Sequence, residues 1–165
     1  MKFMYTEFWL GLTNLVELTA TGRWELEVVL TDYNNQSYTA LYSDFGVGDS
    51  STNYRLSLSG YNATRSSLPD SLNGNSQNAV NLNGMEFSTK DRDNDYLNYG
   101  ISCSGLHGDG GWWFNTCSHT CLTGKNFNNE TMNDDNGILW ETDPAILDAG
   151  EKGSWPAAKM IIRKK

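Results

Sequence analysis

"RWELEVVLTDYNNQSYTALY", residues 23–42, alternates apolar and polar side chains twice, with a turn-forming stretch between the two runs. Trp24, Leu26, Val28 and Leu30 fall on one face and Glu25 and Glu27 on the other, which is the period of a half-buried strand. Asp32-Tyr33-Asn34-Asn35-Gln36 supplies turn chemistry, and Tyr38, Ala40 and Tyr42 resume the alternation over 37–42. The spacing predicts a β-hairpin. Working outward, "NYRLSLSGY" (53–61) predicts a third strand through Tyr54, Leu56 and Leu58. "LTNLVELTA" (12–20) predicts a short helix with Leu15 and Leu18 turned inward, and "KMIIRK" (159–164) a late strand. Between Gly60 and Gly84 the chain is polar and aperiodic, which predicts a surface loop dividing a sheet-rich part, about 1–80, from a loop-rich part, about 81–165.

The chain has 165 residues, enough for one domain with a real core, and a formal net charge of −8. That charge argues against a nucleic-acid groove or an anionic membrane surface, both of which need clustered Lys and Arg. No run approaches the ~20 apolar residues of a membrane span, and the first residues lack the apolar core of a signal peptide. Asn35, Asn62 and Asn129 head N-x-S/T triplets, which act as glycosylation acceptors only in a secretory compartment.

The second part carries Trp112, Trp113, Phe114, Trp140 and Trp155 among Gly, Asn and Asp clusters, a composition that fits order better than disorder and calls for something to hold the loops. "FSTKDRDNDYLNYGISC" (87–103) sets Asp91, Asp93 and Asp95 at alternate positions. Converging carboxylates repel by roughly 2–3 kcal/mol per pair at ~6 Å and an effective dielectric of ~20, so they need open water or a cation. Calcium, with six to eight hard oxygen ligands, is the natural occupant; a solvated acidic turn is the rival. An EF-hand is excluded, because Tyr96 and Ser102 stand where that loop needs Gly and Glu.

Cys103 and Cys117 enclose a Gly- and Trp-rich loop, and Cys121 follows. A disulfide closing a loop of about 15 residues restricts the unfolded chain by ~3 kcal/mol. Zinc bound through Cys103, His107, Cys117, His119 and Cys121 is the competing reading, without the usual C-x2-C spacing. For catalysis the chain offers only two histidines, no G-x-S-x-G and no H-E-x-x-H, and its crowded aspartates suit ligation better than a spaced acid–base pair. An enzyme is not expected.

Taken together, "TEFWLGLTNLVELTATGRWELEVVLTDYNNQSYTALYSDFGVGDSSTNYRLSLSGY", "NGMEFSTKDRDNDYLNYGISC", "GGWWFNTCSHTCLTG", "NGILW" and "KMIIRKK" resemble the fibrinogen C-terminal (fibrinogen-related) domain, in the family's order from about residue 6 to the end. The resemblance implies a secreted α+β module with an antiparallel sheet subdomain and a loop-rich calcium-binding subdomain. It implies side-chain calcium ligands at Asp93 and Asp95, with carbonyls of Leu97 and Tyr99 completing the shell and Asp91 a neighbour. It also implies a Cys103–Cys117 disulfide with a cis Thr116–Cys117 peptide, a form costing about 3–4 kcal/mol. The family's binding pocket maps to His107, Thr116, Cys117, Ser118, His119 and Trp140, which in lectin-like members takes an acetyl group.

The chain departs from the family at Ser118, where His is frequent, and at Cys121, where Asn or His is usual. The family's N-terminal subdomain has no counterpart ahead of Met1, which makes Met1 suspect as a natural start and predicts an uncovered sheet edge or apolar surface. The expected function is calcium-dependent recognition of acetylated carbohydrate or cell-surface glycan. The alternative is a matrix- or growth-factor-type module binding a protein receptor. Clustering would come from segments outside this chain.

Overall fold

The computed structural model describes residues 7–74, 80–98, 100–118, 120–127, 136–140 and 154–165. Helix α1 (Leu12–Thr19) leads into β1 (Trp24–Thr31), β2 (Ser37–Val47) and β3 (Leu56–Tyr61); a four-residue helix α2 (Cys103–Leu106) and β4 (Ala157–Lys164) follow. The strands form one antiparallel sheet in the order β3-β2-β1-β4.

The predicted hairpin is present, with Val28 opposite Ala40 and Leu30 opposite Tyr38. Asp32 makes its turn: Oδ1 accepts the N–H groups of Asn34 and Gln36, and Asn35 takes a left-handed φ of 62°. Alternation places Leu26, Val28 and Leu30 at 0% exposure, and Ala40, Tyr42, Phe45 and Val47 continue the layer on β2. The core runs on through Trp112, Trp113 and Phe114 of the loop-rich part.

Three expectations need correction. Leu18 does not turn inward: it is 42% exposed, and α1 packs through Leu12, Leu15 and Val16, with its Thr19 hydroxyl accepting the Val47 N–H of β2. Tyr54 lies outside β3, because Asn53 and Tyr54 both take left-handed φ and close a turn on Asp49. The polar 61–83 stretch is not wholly a surface loop. Leu68, Leu72 and Leu82 are buried, and the Tyr42 hydroxyl donates to buried Asp70 at 3.0 Å. It satisfies the backbone of β2 where β3 has ended: Ser66 and Ser67 hydroxyls accept the N–H groups of Leu41 and Thr39, and the N–H of Asn62 donates to the Leu41 carbonyl. Apolar residues without a repeating period left no strand or helix signal in that stretch.

Candidate functional site

The acidic loop starts from a tight turn in which Thr89 and Arg92 exchange backbone hydrogen bonds and the Thr89 hydroxyl donates to Asp91 at 2.8 Å. Arg92 reaches Asn53 on the sheet side. Asn94 is anchored twice: its N–H donates to the Ser88 hydroxyl and its side-chain amide to the Phe87 carbonyl.

Asp95 is the hub. One carboxylate oxygen accepts the Leu97 N–H at 2.8 Å and the other the Cys103 N–H at 2.7 Å, while the Asp95 N–H donates to Asp93 at 3.1 Å. Burial pushes the Asp95 carboxyl up from its ordinary value, the N–H groups of Cys103 and Leu97 pull it down, and the adjacent Asp93 carboxylate pushes it up again. Tyr96 ties the loop to the next segment through its N–H on the Asn115 carbonyl, and Asn115 holds Asn81.

Cys103 opens α2, whose preceding Ser102 accepts the Gly105 N–H with its hydroxyl. Cys103 and Cys117 form a disulfide across a Cα–Cα distance of 5.0 Å. The pairing removes both sulfurs from the zinc reading. Cys121 is buried with its sulfur beside the Thr123 hydroxyl, and burial pushes its thiol pKa up. The expected cis Thr116–Cys117 peptide is not found: no described peptide is cis, and the chain turns through a left-handed φ of 60° at Cys117. A non-proline residue reaches a tight turn at lower cost that way than through a cis bond.

The other expected pocket residues are dispersed in burial. Thr116 is exposed and Cys117 half-buried. His107, Ser118 and Trp140 are buried at 6%, 5% and 4% exposure, with the His107 ring stacked on Phe114 and the Ser118 hydroxyl accepting the Thr120 N–H. Among the described residues, the buried indole N–H groups of Trp112 and Trp140 meet no acceptor. Tyr99, His119 and Asn129 lie outside the described residues, whereas Asn35 stands exposed at the hairpin tip and the Asn62 side chain caps its own turn. Sequence reasoning did not single out Asn94 and Asn115, which orient the loop, nor exposed Tyr96, Ile101 and Leu106 around it. Apolar residues inside an acidic run were the available signal.

A four-stranded antiparallel sheet backed by a disulfide-pinned, acidic, loop-built half defines a small α+β globe with a preorganised loop surface. The chain belongs to the family described as fibrinogen beta and gamma chains, C-terminal globular domain, whose model matches residues 2–165. It is 36% identical over 162 residues to human fibroleukin, covering 96% of this chain and 35% of that one. The fibrinogen-like globe domain of human ANGPTL6 superposes with a TM-score of 0.73 at 32% identity, over 96% of this chain and 64% of that one. The lamprey fibrin D-dimer, solved with the peptide ligand Gly-His-Arg-Pro-amide, gives 0.80 at 29% identity, over 96% and 51%. The chain thus spans about a third of fibroleukin's length. Among the described residues no helix is long and apolar enough to cross a membrane.

Proposed function

We propose that this chain is an extracellular protein-recognition module whose loop-rich half presents a calcium-braced surface to a polypeptide partner. The observation that carries this reading is the Asp95 carboxylate, which ties the acidic loop to the first residue of the disulfide. The residues fit a hard divalent cation. Asp93 and Asp95 sit side by side, and of the roughly four lone-pair sites of a carboxylate the Asp95 backbone bonds use only part.

Asp93 and Asp95 would hold calcium with their side chains, and Leu97 and Tyr99 with their carbonyls. Bound calcium supplies charge neutralisation and a cross-link within the loop, with no substrate polarised. Asp95 orients Cys103 and Leu97, the disulfide fixes the far side, and exposed Tyr96, Ile101 and Leu106 become contact groups on a rigid frame. Preorganisation lowers the ordering cost of binding. Similarity to fibroleukin, to an angiopoietin-like globe and to a domain solved with a peptide supports a polypeptide partner and a secreted location over catalysis. Asn35, Asn62 and Asn129 would then be available for glycosylation.

Recognition of acetylated carbohydrate is the second reading, favoured by the buried indole N–H of Trp140, which meets no acceptor among the described residues and which an acetyl carbonyl would satisfy. Passing folded protein over an acetylated-sugar resin in calcium separates the two. Flow-through supports polypeptide recognition, and retention released by free acetylated sugar supports the lectin reading. Calcium itself is tested by thermal unfolding with calcium and with EDTA; identical midpoints would exclude a bracing ion.

A further inference from the structure

The acidic run carries cations of its own. Lys90 and Arg92 alternate with Asp91 and Asp93, and Asp95 follows, so residues 90–95 hold three carboxylates and two basic side chains. A basic group tethered to the same stretch of backbone is a standing competitor for any added cation, because the tether keeps its local concentration high. Among the described residues, however, neither basic group pairs with an aspartate of the run. Lys90 reaches Asp109, Nζ to Oδ2 at 2.9 Å, and Arg92 donates from Nη2 to the Oδ1 of Asn53. Asp91 takes the Thr89 hydroxyl instead. Both cations are thus drawn off by partners 19 and 39 residues away in the chain.

Asn53 is fixed in the pose that this hold requires. It ends the tight turn over Ser50–Thr52 in a left-handed φ of 52°, which Asn tolerates better than most residues with a Cβ. Its N–H donates to the Ser50 carbonyl and its own carbonyl accepts the Phe87 N–H at 2.9 Å. The side-chain amide donates from Nδ2 to Glu86 Oε2 at 2.6 Å, and Oδ1 meets Arg92. Arg55 holds the other oxygen of Glu86 at 2.8 Å. A flipped Asn53 amide would set its carbonyl oxygen against that carboxylate, so the amide has one satisfied orientation. Against burial, the hydrogen bond from Asn53 first, then that from Arg55, and last the charges of Arg55 and Arg92 hold the Glu86 carboxyl below its ordinary value.

We infer that Asn53 is a positioning residue for the calcium site: by holding Arg92 it keeps the run's own guanidinium off Asp93 and Asp95 and leaves them to a divalent ion. This role rests on the calcium reading proposed above. Once released, Arg92 has carboxylates on both sides of it in the chain, and any guanidinium–carboxylate pair it forms must break before calcium binds. Asp109 acts on Lys90 in the same way. Asp109 is charged, however, and its removal would itself weaken the attraction for calcium, whereas neutral Asn53 can be removed without changing the charge around the site.

The test is calcium affinity, measured by titration calorimetry on the 165-residue chain, in a double-mutant cycle of Asn53→Gly and Arg92→Gln. Glycine takes the left-handed φ without strain and removes the amide while leaving both backbone bonds of residue 53. Asn53→Gly weakens calcium about fivefold, the upper end for an exposed ion pair. Arg92→Gln binds at least as tightly as the parent, and the double variant binds as tightly as Arg92→Gln alone. A merely structural role for Asn53 would weaken calcium by the same factor with or without Arg92; that result overturns the proposal, and so does unchanged binding by Asn53→Gly. A second measurement needs neither calcium nor a change at residue 53. In EDTA, the guanidinium N–H signals of Arg92, assigned by nuclear magnetic resonance through their loss in Arg92→Gln, exchange with water more slowly than those of free arginine, and exchange at the free rate overturns the hold. A parent that binds no calcium while Arg92 stays protected removes the calcium reading and this role with it. A parent that binds calcium, with Asn53→Gly its equal, removes this role alone.

Discussion

The carboxylate of Asp95 accepts the backbone N–H of Cys103 at 2.7 Å, and Cys103 is bonded to Cys117. An acidic loop and a disulfide eight residues apart are thereby one mechanical unit. Asp95→Asn keeps the outline of the side chain but loses its charge and one of its two acceptor oxygens. In the parent protein, calcium at about 100 times its dissociation constant adds about 2.7 kcal/mol. At about 2–4 °C per kcal/mol for a chain of this size, the unfolding midpoint rises about 5–10 °C. In Asp95→Asn and in Asp93→Ala that rise disappears, as differential scanning calorimetry will show.

Replacing Cys103 and Cys117 together by Ala frees the 14-residue separation they span. Urea unfolding under oxidising conditions is expected to show a loss of about 3 kcal/mol, the entropic value for a closed loop of this length. Cys121→Ala, by contrast, leaves the bridge in place.

Tyr42 reports on the buried stretch after β3. Burial first, and the Asp70 carboxylate second, push its phenol pKa well above the ordinary value. The folded state then keeps a proton that the unfolded state has lost, so the stability linked to Tyr42 is fully present below about pH 10 and falls as pH rises beyond it. Tyr42→Phe makes the alkaline loss of stability shallower. At pH 7 it lowers stability by about 1–3 kcal/mol, because buried Asp70 loses a donor. Urea midpoints measured from pH 7 to 11 test both effects.

A pair of glycine substitutions separates close approach from propensity. A Cβ at Gly124 would run into the carbonyl of Gly137, parting the parallel bridge between Lys125 and Gly137. Gly124→Ala is expected to cost about 1–3 kcal/mol. Gly46 in β2 has nothing within 4 Å of its added Cβ, and Gly46→Ala is expected to be neutral or to gain up to about 1 kcal/mol. Chemical denaturation of the two variants side by side gives the contrast.

The sequence by itself determined the strands of the sheet. Leu26, Val28 and Leu30 alternate because one face of a strand is buried, and that period is written in neighbouring residues. Membership of the family was likewise legible in the order of its motifs. Tertiary structure alone decided what depends on distant contacts. It sent Leu68 and Leu72 inward without any local period, left Leu18 outward, and turned the chain at Cys117 through a left-handed trans residue. It placed β4 beside β1 at the end of the described sheet, whereas the Cys103–Cys117 disulfide is the one that the family resemblance implied. Periodicity encodes which face of an element is apolar; which other element covers that face is settled only when the whole chain packs.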